Sequence, residues 1–159
     1  MDYGKAEASF VAVTGNVIQT APIEVIDPVT YGSTSTYILR FICESIIPDG
    51  GRIEIYIPEP FEIFENIVTS SGTCSSATCN VDVDDRTVEW TITEDIAPKT
   101  PIQFELKGLR NPRTTETTGT FFITTRDTNL VSEIDSGYNM ATSVTIMGDL
   151  GSFGATPSN

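Results

Sequence analysis

The chain has 159 residues, enough for one domain of ordinary size, and 39% of them are apolar, so a packed core is attainable and wholesale disorder is argued against. Against 9 basic residues stand 22 acidic ones, a formal charge of -13 that speaks against nucleic acid as a partner and against adsorption to anionic lipid. Histidine is absent, which removes the Ser-His, Cys-His and His-metal chemistries together.

No apolar run approaches the roughly 20 residues of a membrane span. The opening stretch MDYGKAEASF is polar and acidic and does not read as a signal peptide; either export is absent or a leader precedes the sequence. Ile, Val and Thr number 52 together, whereas Ala and Leu number 13. Branching at Cβ stiffens χ1 and suits a pleated surface, so this balance predicts strands.

Taken in order, residues 9–14 read as a first strand stopped by Gly15-Asn16, and residues 17–26 continue extended, with Pro22 marking an edge or bend. Asp27-Pro28 and Gly32-Ser33 are turn signals. Residues 36–43 form a strong strand before Pro48-Asp49-Gly50-Gly51. In residues 52–57 the alternation is clean, with Ile53, Ile55 and Ile57 on one face and Arg52, Glu54 and Tyr56 on the other. Residues 61–69 fit either a strand or a short helical turn, and residues 70–80 read as a polar loop. A hairpin is expected from Val81 to Thr93, with Val88, Trp90 and Ile92 on one face. Ile102, Phe104 and Leu106 point inward from the next strand, Asn111-Pro112 opens a Thr-rich loop, and residues 120–125 and 142–146 are the last two strands.

Eight or nine short strands without a convincing helix predict an all-β protein, a two-sheet antiparallel Ig-like sandwich; a closed barrel is the alternative. The expected core holds Leu39, Phe41, Ile53, Ile55, Ile57, Trp90, Phe104 and Ile123. Residues 8–17 and 141–150 are alike at an offset of 133, with Ala8, Val11 and Gly15 meeting Ala141, Val144 and Gly148. Either two strands ending in a turn look alike by chance, or a last strand leads into a next repeat. The division expected is a linking or donated strand at 1–16, the sandwich at 17–148, and a tail or start of a next repeat at 149–159.

Two segments carry a resemblance. Ile47-Pro-Asp-Gly-Gly-Arg-Ile-Glu-Ile-Tyr-Ile-Pro58 resembles a recurring "I-P-x-G-G-x-I-x-I-x-I-P" segment, and residues 108–127 resemble a "G-hydrophobic-x-N-P-x-x-T" loop followed by "F-x-I-x-T-x-D". Both are similar to repeats of very large extracellular surface proteins of ciliates and related protists, and the likeness covers roughly residues 27–147. The resemblance implies an Ig-like sandwich, with a cysteine loop between the two segments, outside the cell. In that setting a disulfide between Cys74 and Cys79 would close a small loop. Cys43 ends an apolar strand and reads as a buried thiol, with a bridge to either loop cysteine as the alternative.

Asp82, Asp84 and Asp85 at a hairpin tip are weak calcium candidates, as are Asp127, Asp135 and Asn139 near another loop; neither group has EF-hand spacing, and turn chemistry explains them equally. No other cofactor is expected. Residues 107–126 hold Lys107, Arg110, Arg113 and Arg126 against Glu116 alone, a basic island that could mate with an acidic patch on another copy. Phe10, Val11 and Val13 are candidates for strand addition to a neighbour. The expected function is therefore a non-enzymatic extracellular structural module, one unit of a tandem array making head-to-tail contacts with copies of itself. The second hypothesis is an adhesive or glycan-binding module, with Tyr31, Tyr37, Tyr56 and Tyr138 exposed together. Catalysis has no nucleophile motif to support it.

Overall fold

The computed structural model describes residues 15–26, 30, 32–64, 68–71, 78–113, 119–129 and 131–137. Nine strands run through them: β1 (Gly15–Ile26), β2 (Thr34–Cys43), β3 (Arg52–Tyr56), β4 (Val68–Ser71), β5 (Thr78–Asp82), β6 (Thr87–Thr91), β7 (Ile102–Arg110), β8 (Phe122–Arg126) and β9 (Glu133–Gly137). Among the described residues there is no helix, and the protein is all-β.

Alternation places the strands. Ile53 and Ile55 are fully buried on β3, with Arg52, Glu54 and Tyr56 on the opposite face. Val88 and Trp90 do the same on β6, and Ile102, Phe104 and Leu106 on β7. A side-chain period of two means that a one-residue slip would carry these groups into water, so burial sets the register.

The strands form one sheet in the order β4-β7-β2-β1-β9-β8-β3-β6-β5. β1 is the joint. Its first two residues, Gly15 and Asn16, pair in parallel with Asp135 and Ser136 of β9. From Val17 onward it pairs antiparallel with β2. The strand thus leaves one half of the sheet and joins the other, and the sheet curls until the halves face each other. Trp90 on β6 meets Phe104 on β7 with ring centroids 4.0 Å apart, and Phe41 on β2 stacks on Phe104 at 5.8 Å. Burying a side chain such as Phe104 contributes about 1.5–3 kcal/mol, so this aromatic layer, with Ile123 and Leu39, is what holds the halves closed. All eight expected core residues are buried.

Several boundaries differ from expectation. Gly15-Asn16, expected as a turn, lies in strand β1. Pro22 lies inside β1, where the pairing with β2 is irregular between Ala21 and Glu24; a residue without an N–H sits at the break in the ladder. The polar loop shrinks, because β4 and β5 take residues from both its ends. β4 and β5 are also the two edges of the sheet, and only residues 72–77 separate them in the chain, so the two edges lie on the same side of the curl. β9 was not expected at all. The strands expected at 9–14 and 142–146, and most of the internal likeness, lie outside the described residues.

Candidate functional site

At one end of the molecule three connections meet. Residues 44–51 join 92–101 through paired backbone bonds between Ile47 and Ile96 (3.0 and 2.8 Å) and through Gly50 N–H to the Ile92 carbonyl (2.8 Å). A side-chain carbon at Gly50 would lie 3.4 Å from Thr128, so the β8–β9 connection packs on the same loops. These segments bring together Glu44, Asp49, Glu94, Asp95, Asp127 and Glu133 against Lys99 as their one cation, a net of -5. All six carboxylates are exposed except half-buried Asp127. This is an acidic pole.

The opposite end is built on arginine and asparagine. Arg86 in the β5–β6 turn has a left-handed backbone, φ 57°, and donates to the carbonyls of Ile57 (3.0 Å), Pro58 (2.9 Å) and Phe61 (2.6 Å). Asn111 is fully buried; its amide nitrogen donates to the Thr30 carbonyl (2.8 Å) and to Ser35 Oγ (2.9 Å), and its oxygen accepts from the Tyr37 hydroxyl (2.6 Å). The Asn-Pro motif therefore ties the β1–β2 connection to the end of β7. Burial pushes the Tyr37 hydroxyl well above the ordinary tyrosine value. On the surface beside it, Arg110 (3.0 Å) and Arg113 (3.4 Å) converge on Glu62. Two guanidiniums over one carboxylate leave one positive charge in surplus, and the Arg113 side chain is 56% exposed.

Between the poles, the outer face of β3, β6 and β8 carries an ion-pair lattice. Glu54 and Glu89 stand directly opposite each other, a repulsive arrangement. Each is neutralised from the neighbouring row: Arg126 Nε lies 2.7 Å from Glu54, and Arg52 Nη1 lies 3.1 Å from Glu89.

Inside the joint, Asp135 is fully buried. Its Oδ2 accepts from Ser45 N–H (2.9 Å), while Oδ1 has no hydrogen-bond partner. Cys43, also buried and unbridged, has its thiol pushed up to about 12 by burial and, secondarily, by the Asp135 charge.

The basic island does not form one patch. Arg110 and Arg113 stay together, Lys107 pairs with Glu105 (3.2 Å) farther along β7, and Arg126 belongs to the lattice on the other half of the sheet. Sequence proximity misleads here because β7 and β8 lie in different halves. Asp82 accepts from the N–H of Asp85 (2.9 Å), which is turn chemistry, and among the described residues no group of three or more acidic or cysteine side chains could hold a metal ion. Asp84 and Asp85 are exposed. Tyr37 is buried, so it cannot join an exposed aromatic cluster; its hydroxyl is needed by Asn111. Tyr56 is 37% exposed, whereas Tyr31 and Tyr138 lie outside the described residues. Cys79 is exposed on β5; Cys74, Phe10, Val11 and Val13 lie outside the described residues. No described helix is long and apolar enough to cross a membrane.

The chain matches no protein-family model and no curated protein. Among solved structures it is similar to the crystal structure of BslA, described as a bacterial hydrophobin, with a TM-score of 0.55 and 13% identity over 86% of this chain and 95% of that one. At that identity the likeness concerns the fold alone.

Proposed function

We propose that this chain is a non-enzymatic extracellular structural module of Ig-like sandwich type, set end to end with copies of itself. The observation that supports this most is the parallel pairing of β1 with β9. β1 starts at the acidic pole and runs away from it. β9 also starts there and runs the same way, so the first and last described strands share one direction, as an end-to-end arrangement needs. The poles also differ: one end has a net of -5, whereas the other sets the Arg110–Arg113 cluster beside the exposed Asp84 and Asp85 of the β5–β6 turn, and it is that cluster that the acidic end of the next copy meets.

Among the described residues the exposed large apolar side chains, Ile18, Ile26, Ile46, Tyr56, Phe64, Val83 and Val131, are distributed over β1, β3 and both poles. We therefore take from BslA its fold and not its description. A shallow hollow lined by Gln19, Thr20, Ala21 and Pro22 offers no titratable group for catalysis.

Sedimentation tests the reading. The wild-type protein is expected to self-associate at millimolar concentration, and Arg113→Glu to weaken this about tenfold. Mixing Arg113→Glu with Asp95→Lys, which has its reversed charge at the other pole, is expected to restore association between the two variants. A wild-type protein that stays monomeric, or variants that behave like it, would refute end-to-end contact.

A further inference from the structure

We propose a second surface property, independent of the poles: the outer face of β3, β6 and β8 binds a neutral oligosaccharide. Tyr56 and Phe122 are direct cross-strand partners on that face, with Thr87 beside Tyr56. Tyr56 is 37% exposed and Phe122 half-buried. Two residues along the strands, about 7 Å away, lies the row Asn80, Glu89 and Glu54, which ends at the buried Thr124; about 7 Å beyond it lie Arg52 and Arg126. The result is an aromatic strip, a carboxylate and amide row, and a guanidinium row on one pleated surface.

Each element fits sugar chemistry. An aromatic face packs against the C–H face of a pyranose ring. Carboxylates accept from hydroxyl groups, and guanidinium and amide groups donate to them, as charge-assisted hydrogen bonds. The polar side chains are already fixed in place: Arg126 Nε lies 2.7 Å from both oxygens of Glu54, Arg52 spans 3.1 Å to Glu89, and Asn80 Nδ2 donates to Glu89 at 3.4 Å. Groups ordered before binding lose little entropy when the ligand arrives. Charge selects the class of ligand. On a molecule of -13, this face carries two guanidiniums against two carboxylates. It has no cationic surplus to recruit a polyanion, and the rest of the molecule repels one. Its apolar content, one aromatic strip, is too small for the centre of a stable protein interface.

Affinity electrophoresis tests this, with the whole chain run through gels containing laminarin, mannan, amylose or hydroxyethyl cellulose, and alginate as the acidic control. At least one neutral polysaccharide is expected to retard the protein. Tyr56→Ala and Asn80→Ala are expected to weaken that retardation about tenfold at an unchanged melting temperature, while Tyr56→Phe keeps it. Arg113→Glu, at the pole, is expected to bind as the wild type does, which separates this face from end-to-end assembly. The proposal is overturned if none of the four retards the protein, if alginate retards it equally, or if Tyr56→Ala binds like the wild type. It is also overturned if Tyr56→Ala alters sedimentation without any sugar, because the face would then be a protein contact.

Discussion

Asn111 shows how a surface-looking residue becomes structural. In the sequence it opens a Thr-rich loop, yet it is fully buried and bonded to Thr30, Ser35 and Tyr37. Tyr37→Phe removes one donor and leaves a buried amide oxygen without it, which costs about 1–3 kcal/mol. Urea denaturation should show that loss with an unchanged m-value; an unperturbed midpoint would mean that the hydroxyl contributes nothing. Cys43 makes a second residue-scale prediction. Its thiol ionises near 9.0 when ordinary and is held to about 12 in the fold. Between those values the folded protein keeps a proton that the unfolded chain has lost. The stabilisation is therefore complete below about pH 9 and is lost as pH rises toward 12, at up to about 1.4 kcal/mol per pH unit. Tyr37 acts in the same direction from its ordinary 10.0 upward. The urea midpoint should fall from pH 9 to 11, and Cys43→Ala should start lower but decline less steeply; equal slopes would remove Cys43 as the cause.

At the scale of elements, β1 carries the architecture. Its two parallel pairs with β9 are possible because position 15 has no side chain: a Cβ there would meet Asp135 Oδ1 at 2.0 Å and Ser45 Oγ at 2.8 Å. Asp135 cannot retreat, since its Oδ2 is held by Ser45 N–H and its own N–H donates to Thr125 Oγ1 (3.0 Å). Gly15→Ala should therefore lower the melting temperature and release the amide proton of Ser136 to exchange, while those of β3 and β6 stay protected, as does that of Asn16, which donates to Glu44 Oε2 (3.1 Å) on the β2 side. Uniform protection in the variant would show that the joint absorbs the methyl group. β3, β6 and β7 were legible in the sequence because each alternates Ile, Val or aromatic residues with polar ones. β9, Glu-Ile-Asp-Ser-Gly, was not: its buried positions hold Asp135, Ser136 and Gly137, so nothing in its own hydrophobic pattern marks it as a strand. It exists because β8 offers it a ladder and Thr125 a hydrogen bond.

At the scale of the molecule, curling decides what is near what. The acidic pole collects carboxylates from segments up to 89 positions apart, Glu44 to Glu133, and no local window of sequence contains it. Four cations clustered within 20 residues are, conversely, separated into a pole, a strand face and an ion-pair lattice. Dispersal of one patch and assembly of another have the same cause: β7 and β8 are consecutive in the chain but belong to opposite halves of the sheet. The lattice face was half legible. Arg52, Glu54 and Tyr56 were read as one face of β3, but their partners on β6 and β8 come from register alone.

The sequence by itself determined the strand content, the inward residues of the core strands and the acidic surface, because these follow from side-chain branching, a period of two and a count of charges. Only the tertiary structure decided that the sheet is continuous through β1, that the first and last described strands run parallel, and which charged groups meet. Those depend on pairings between residues far apart in the chain, and a strand's own pattern says which face is apolar but not which neighbour it will have.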